Sequence, residues 1–115
     1  MPDRCVFCKI VAGESPGKIV FQDNQVTAFH DNHPAAPTHI LIVPNKHITA
    51  VSQIEPEDEP LIGHLFTVAK QIAENEGISE SGFRLIINNG PDANQTVPHI
   101  HLHVLGGRPV RYPMG

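Results

Sequence analysis

His99-Ile100-His101-Leu102-His103-Val104-Leu105 is the stretch whose reading decides the fold. Imidazole and aliphatic side chains alternate through it, and a period of two marks a β-strand with one buried face. That places Ile100, Leu102 and Val104 in a core, with His99, His101 and His103 in a row on the opposite face. Neighbours in the row are about 6.6 Å apart at a rise of ~3.3 Å per residue. Three imidazoles at that pitch can meet one anion, or two of them can chelate one metal. Spacing alone does not choose between these uses.

The loop that feeds the strand runs Asn88-Asn89-Gly90-Pro91-Asp92-Ala93-Asn94-Gln95-Thr96-Val97-Pro98. Gly and Asn tolerate conformations that turn successive N–H groups inward, which makes a concave site for anions. Asn88, Gln95 and Thr96 add side-chain donors. Beside a row of imidazoles, this reads as a phosphate site with a nucleophile next to it. Neutral imidazole attacks phosphorus, and about three quarters of an unperturbed His is neutral at pH 7. For His101 to attack, its inner N–H has to be held by a hydrogen bond that leaves the outer nitrogen free.

Working outward, residues 83 to 88 read as a strand, and residues 57 to 76 as the long helix, stopped at Gly77. Its acidic first turn suits the positive end of the helix dipole. Leu61, Leu65, Val68 and Ile72 form one row on this helix; Ile62, Phe66, Ala69 and Ala73 form a second. Together they cover roughly 160°, wider than the ~100° stripe that one surface helix needs. Two accounts fit this width: a helix deeply buried in one small domain, or one row on the chain's own sheet and the other on a partner subunit. His64 falls at the polar edge, as a surface residue. Residues 39 to 43 are a continuous aliphatic strand ended by Pro44. Residues 18 to 22 and 25 to 30 make a hairpin across Asp23-Asn24, and residues 31 to 38 are a loop. Residues 5 to 12 are a short helix, and Arg108 to Pro113 an irregular tail. About five strands and one long helix, mostly joined by short connections, give an α+β fold with an antiparallel sheet, residues 1–115 forming a single domain.

Composition narrows the function. The chain has 115 residues, 40% hydrophobic and 17% charged, with a net charge of −4 and no basic stripe, so no nucleic-acid partner is expected. Eight histidines against one Tyr and no Trp favour proton transfer, metal binding or nucleophilic chemistry. Ile40-Leu41-Ile42-Val43 is the longest aliphatic run, so no membrane span is expected, and Met1-Pro2-Asp3-Arg4 opens no hydrophobic secretion region. The expected location is cytoplasmic.

Pro37-Thr38-His39, Asn88, Gln95-Thr96 and His99-x-His101-x-His103-Val104-Leu105-Gly106-Gly107-Arg108 together resemble the histidine-triad (HIT) superfamily. The Gly-Gly-Arg ending is similar to its Hint branch, the purine nucleoside phosphoramidases. The resemblance runs from Phe7 to the tail. It implies that His101 is the nucleophile, attacking the α-phosphate of a purine nucleoside phosphoramidate and releasing the amine. The nucleotidyl-histidine is then hydrolysed to the monophosphate. His103 matches the phosphate-contacting position, and His99 and His39 the supporting histidines. Asp31 matches the carboxylate on the ribose hydroxyls; Asn88, Gln95 and Thr96 match the phosphate site; Asn32, Phe7 and Ile10 fall where the family lines its base pocket. Ala93-Asn94-Gln95-Thr96 stands where the family usually has Gly-Gly-Gln-Ser, and Asn32 where a larger aliphatic residue is common. The resemblance also implies a homodimer.

Cys5-x-x-Cys8 supplies two thiolates, and tetrahedral zinc needs two further N or S ligands. Some bacterial members of the superfamily complete such a site with two histidines, which match His47 and His99 here. A structural zinc on Cys5, Cys8, His47 and His99 is therefore expected, the chemistry itself needing no cofactor. Three other readings compete: a dinucleoside-polyphosphate hydrolase, a nucleotide-binding regulatory protein with low turnover, and a metal-storage or metal-sensing protein.

Overall fold

Thr38–Pro44 (β3) is buried along all seven of its residues, and the fold is built outward from it. The computed structural model describes residues 5–111. In chain order the elements are α1 (Val6–Val11), β1 (Ile19–Gln22), β2 (Val26–His30), β3, α2 (Glu59–Asn75), β4 (Phe83–Ile86) and β5 (Leu102–Gly106). The strands form one antiparallel sheet in the order β1-β2-β3-β5-β4. This is the α+β arrangement that the alternating pattern predicts. Arg108 to Arg111 are irregular, as expected; Tyr112 and Pro113 lie outside the described residues.

Both faces of the sheet are covered, which is why β3 reads as a continuous aliphatic run rather than an alternating one. On one face Val26, Ala28, Ile40, Ile42, Leu102 and Val104 pack against Leu65, Val68, Ala69, Ile72 and Ala73 of α2. On the other, Phe29, Leu41 and Val43 meet Phe7 and Ile10 of α1. The histidine face is therefore roofed by α1. Phe7 lies edge-on to Phe29, with ring centroids 5.3 Å apart.

Helix α2 starts two residues later than the apolar pattern predicts, because Pro56–Asp58 form a 3-10 turn. Asp58 is buried there. Its Oδ2 accepts the Glu55 N–H and its Oδ1 meets Lys46 Nζ at 2.6 Å, tying the helix start to the end of β3. Gly77 ends the helix at φ 74°, a conformation that glycine adopts without Cβ strain. Both helix rows are buried or packed on the chain's own core, Ile62, Ala69 and Ala73 of the second included, so that row is not left as a whole for a partner; Phe66 alone of the eight remains exposed, at 45%. His64 is no bare surface residue: its Nε2 meets Asp23 Oδ2 at 2.7 Å. Asp23 Oδ1 meanwhile accepts the Gln25 and Val26 N–H groups. Burial raises the Asp23 carboxyl, but His64 and these two donors outweigh it and hold the group below its ordinary value.

The histidine strand is shorter than the alternation predicts. Pairing with β3 stops at Ile42–Leu102. Continuing the register would set Ile100 against Pro44, which has no N–H to donate. His99, Ile100 and His101 peel off the ladder instead, Ile100 N–H going to the Ile48 carbonyl at 2.7 Å. Ile100, Leu102 and Val104 are buried as expected. The single row of imidazoles, however, divides into two groups. Among the described residues no helix is long and apolar enough to cross a membrane.

Candidate active site

The first group is His101 and His103, whose ring centroids lie 5.0 Å apart. Both line a cavity of about 260 Å³ with Phe7, Ile10, Phe29, Asp31, Asn32 and Thr96. Cavities of about 380 and 440 Å³ flank Arg108 and Pro109, but no imidazole or carboxylate lines either. A cavity of about 360 Å³ lined by His39 shares His30, Asp31 and Asn32 with the first; that smaller one is the candidate because it is lined by both His101 and His103.

Backbone groups fix the protonation pattern of each ring. His101 Nδ1 lies 2.8 Å from the His99 carbonyl, which can only accept, so Nδ1 carries the proton and Nε2 keeps its lone pair. This is the hydrogen bond that nucleophilic attack requires. The Ala35 N–H donates to His39 Nδ1 at 3.0 Å, which puts the His39 proton on Nε2. That proton goes to His103 Nδ1 at 2.9 Å, so His103 turns an Nε2–H donor outward. Burial, with His101 and His39 behind it, pushes His103 down to about 4. Burial also lowers His39, with Asp31 pulling the other way. Both rings are neutral at pH 7.

Asp31 Oδ2 stands 3.5 Å from His39 Nε2, and its Oδ1 accepts the His33 N–H. Asp31, His39 and His103 are close enough to suit a cation. A metal on His39 Nε2 would displace the proton that the Ala35 bond sets there, so His39 and His103 form a hydrogen-bond relay with the Asp31 carboxylate beside it. The Ala35 carbonyl takes Arg108 Nη2 at 3.1 Å, linking the tail to this relay. Gly107 turns the tail at φ 95°, where an added Cβ would sit 2.9 Å from Pro37.

The loop before the triad behaves differently from the expected anion nest. Gln95 Oε1 accepts the Gly90 N–H, and Gln95 Nε2 donates to the Thr49 and Val97 carbonyls. The Ala93 and Gln95 N–H groups both return to the Gly90 carbonyl, and Asn94 sits at φ 61°. Gln95 thus braces the loop with its whole amide, and Thr96 is the loop hydroxyl that reaches the cavity. Asn88 is half-buried just beyond β4 and is not among the cavity-lining residues. Sequence reasoning missed Val6, Pro16, Gly17, Phe29, His30, His33, Leu41 and Val97 in the lining. Phe29 and Leu41 were discoverable, since their pairing in the sheet puts them on the face of His103.

The second group gathers around His99. Its Nε2 donates to the Pro44 carbonyl at 2.8 Å, so its Nδ1 lone pair faces Cys5 Sγ at 3.4 Å and Cys8 Sγ at 3.5 Å. His47 Nδ1 lies 3.2 Å from Cys8 Sγ. A tetrahedral zinc with ordinary bond lengths has S···N edges of about 3.5 Å, so the donor set fits. The Pro44 carbonyl also supplies the outer-shell bond that orients a ligating histidine. Burial pushes His99 down to about 4, which keeps its ring neutral. Burial, and then Cys5, pushes the Cys8 thiol up to about 11, so a cation has to displace its proton.

The HIT domain family model matches residues 12–110. The chain belongs to the HIT family. It is 51% identical over 110 residues to a purine nucleoside phosphoramidase of Escherichia coli (strain K12), covering 96% of this chain and 92% of that one. A HIT family hydrolase from Legionella pneumophila Philadelphia 1 superposes with a TM-score of 0.94 at 46% identity, over 97% of this chain and all of that one. A zinc-bound histidine triad family protein from Mycobacterium smegmatis superposes at 0.81 and 33% identity, over 94% and 78%. The five-stranded antiparallel sheet with its long helix is thus the HIT fold.

Proposed function

We propose that this HIT protein hydrolyses purine nucleoside phosphoramidates through a nucleotidyl-His101 intermediate. The carrying observation is the His101 Nδ1–His99 carbonyl bond, which leaves the Nε2 lone pair beside a cavity also lined by Asp31 and His103. The base is seated by Phe7, Ile10 and Asn32, and the ribose hydroxyls by Asp31. The His103 Nε2–H and Thr96 meet the phosphoryl oxygens. His101 Nε2 bonds to phosphorus as the P–N bond breaks, and the departing amine takes a proton from solvent. The ring then carries both Nδ1–H and Nε2–P, and the His99 carbonyl stabilises its positive charge. Water next attacks phosphorus, neutral His101 leaves, and the monophosphate is released with one proton given up. The similar Escherichia coli protein's name supports this substrate class.

His101→Ala is expected to lower turnover by several orders of magnitude and keep nucleoside monophosphate binding. Mass spectrometry of acid-quenched wild type should show a nucleotidyl adduct on His101. Turnover retained in the variant overturns the assignment.

The cysteine–histidine donor set supports a structural zinc, and the exposed Phe66 supports a homodimer. Metal analysis is expected to find one zinc per chain, lost in Cys5→Ser.

A further inference from the structure

We propose that the Cys5–Cys8–His47–His99 centre positions the nucleophile: a cation held there anchors the His99 ring, and the His99 carbonyl in turn fixes His101 with Nδ1–H inward and Nε2 toward substrate. This rests on the zinc and phosphoramidate readings above, and it makes His99 a positioning residue shared by two sites.

The geometry that carries it is the way His99 is held. Its carbonyl is the acceptor that orients His101, yet this peptide lies outside the β3–β5 ladder, which stops at Leu102. The sheet therefore does not lock the acceptor in place. The acceptor's own peptide is tethered by its Ile100 N–H to the Ile48 carbonyl at 2.7 Å, and the preceding peptide by the His99 N–H to the Val97 carbonyl at 2.8 Å. The side chain supplies the remaining anchors: Nε2 to Pro44, and Nδ1 to the two sulfurs. His47 packs edge-on against the ring at 4.8 Å. His99 is fully buried, so every polar atom it has is committed to one of these partners.

Between neutral thiols the Nδ1 anchor is a pair of weak S–H contacts; with a cation it becomes a coordinate bond of about 2.0 Å. That change falls on the residue whose carbonyl sets the nucleophile's tautomer, two positions along the chain. A loosened carbonyl lets His101 exchange its proton to Nε2, which removes the attacking lone pair. The effect is read in the chemical step, because it acts on the His101 tautomer; Phe7 and Ile10 share α1 with Cys8, and Phe7 packs edge-on to His99, so nucleoside binding moves with the centre as well.

The test compares zinc-saturated wild type, chelator-treated wild type, Cys8→Ser and His47→Asn, the two variants reaching the centre from different elements. Zinc content is measured for each, and far-UV circular dichroism verifies the fold at the assay temperature. Long-range ¹H–¹⁵N correlation spectra report the His101 tautomer without any turnover. Loss of zinc is expected to move the His101 nitrogens from a single Nδ1–H pattern toward averaged shifts. It should also lower kcat at least tenfold, and added zinc should restore wild type. Zinc loss that lowers Tm but leaves the His101 spectrum and kcat unmoved overturns the coupling. If wild type takes up no zinc, the zinc reading and the coupling fall together. A zinc-dependent His101 spectrum without phosphoramidate turnover supports the coupling and overturns the substrate assignment.

Discussion

His39 Nε2 and His103 Nδ1 lie 2.9 Å apart on adjacent strands, and the proton between them belongs to His39, because the Ala35 N–H occupies the far side of its ring. One backbone amide of the residue 31–38 loop thereby decides that His103 offers a donor, not an acceptor, to the cavity. His103→Ala is expected to reduce kcat about 10²- to 10³-fold, the scale for losing one preorganised donor, with KM changed far less. His39→Ala should follow it, since His39 acts through His103. A double variant barely worse than His103→Ala marks one unit. Steady-state kinetics of the three proteins is the measurement; additive losses would overturn the relay.

Asp31 can be tested without disturbing its loop. Asp31→Asn retains an Oδ1 that accepts the His33 N–H, but it loses the charge facing the ribose. A hydrogen bond to a charged group is worth about 1.5–3 kcal/mol, so KM is expected to rise about 10- to 100-fold with kcat nearly constant. A 2′,3′-dideoxy substrate should abolish the difference between wild type and variant. A penalty of equal size on that substrate excludes the ribose contact.

Much of this arrangement was legible in seven residues. Alternation from His99 to Leu105 places Ile100, Leu102 and Val104 in the core because side-chain direction follows the strand period. It failed where the strand itself stopped: Pro44 cannot donate to Ile100, and no pattern within 99–105 carries that information. The split of His99 from His101 and His103 depends on residues 94 and 91 positions away, Cys5 and Cys8. Nor does the loop sequence show that Gln95 spends its amide on bracing its own loop, which depends on the fold around Gly90 and Thr49. Ala35 was invisible, because its contribution is a backbone N–H and its side chain is only a methyl group.

Acid should destabilise the fold in a defined window. His103 has a native value of about 4 against ~6.5 when unfolded. Below pH 6.5 the unfolded chain binds a proton that the native chain refuses, so stability falls as pH drops and this contribution levels off below about 4. His39 shifts in the same direction. Urea unfolding midpoints, measured with zinc saturating, are expected to be lower at pH 5 than at pH 7. His103→Gln should shrink that difference, because the titrating ring is gone. An unchanged difference in the variant would assign the acid sensitivity to other groups.

The homodimer prediction rests on what α2 leaves uncovered. Ala69 and Ala73 of its second apolar row are buried against the sheet, while Phe66, one turn earlier, keeps 45% of its surface exposed. Among the described residues strand β4 also ends the sheet order and pairs only with β5, which leaves its outer edge for another strand. A second copy of this chain can cover the phenylalanine or pair the edge, and an isologous two-fold contact satisfies both protomers equally. Sedimentation velocity at micromolar concentration is expected to give a species of twice the chain mass. Phe66→Glu should shift it toward the monomer, because an unpaired carboxylate resists burial at the contact. A monomeric wild type at that concentration would remove the dimer and leave the wide apolar stripe as the packing of one small core.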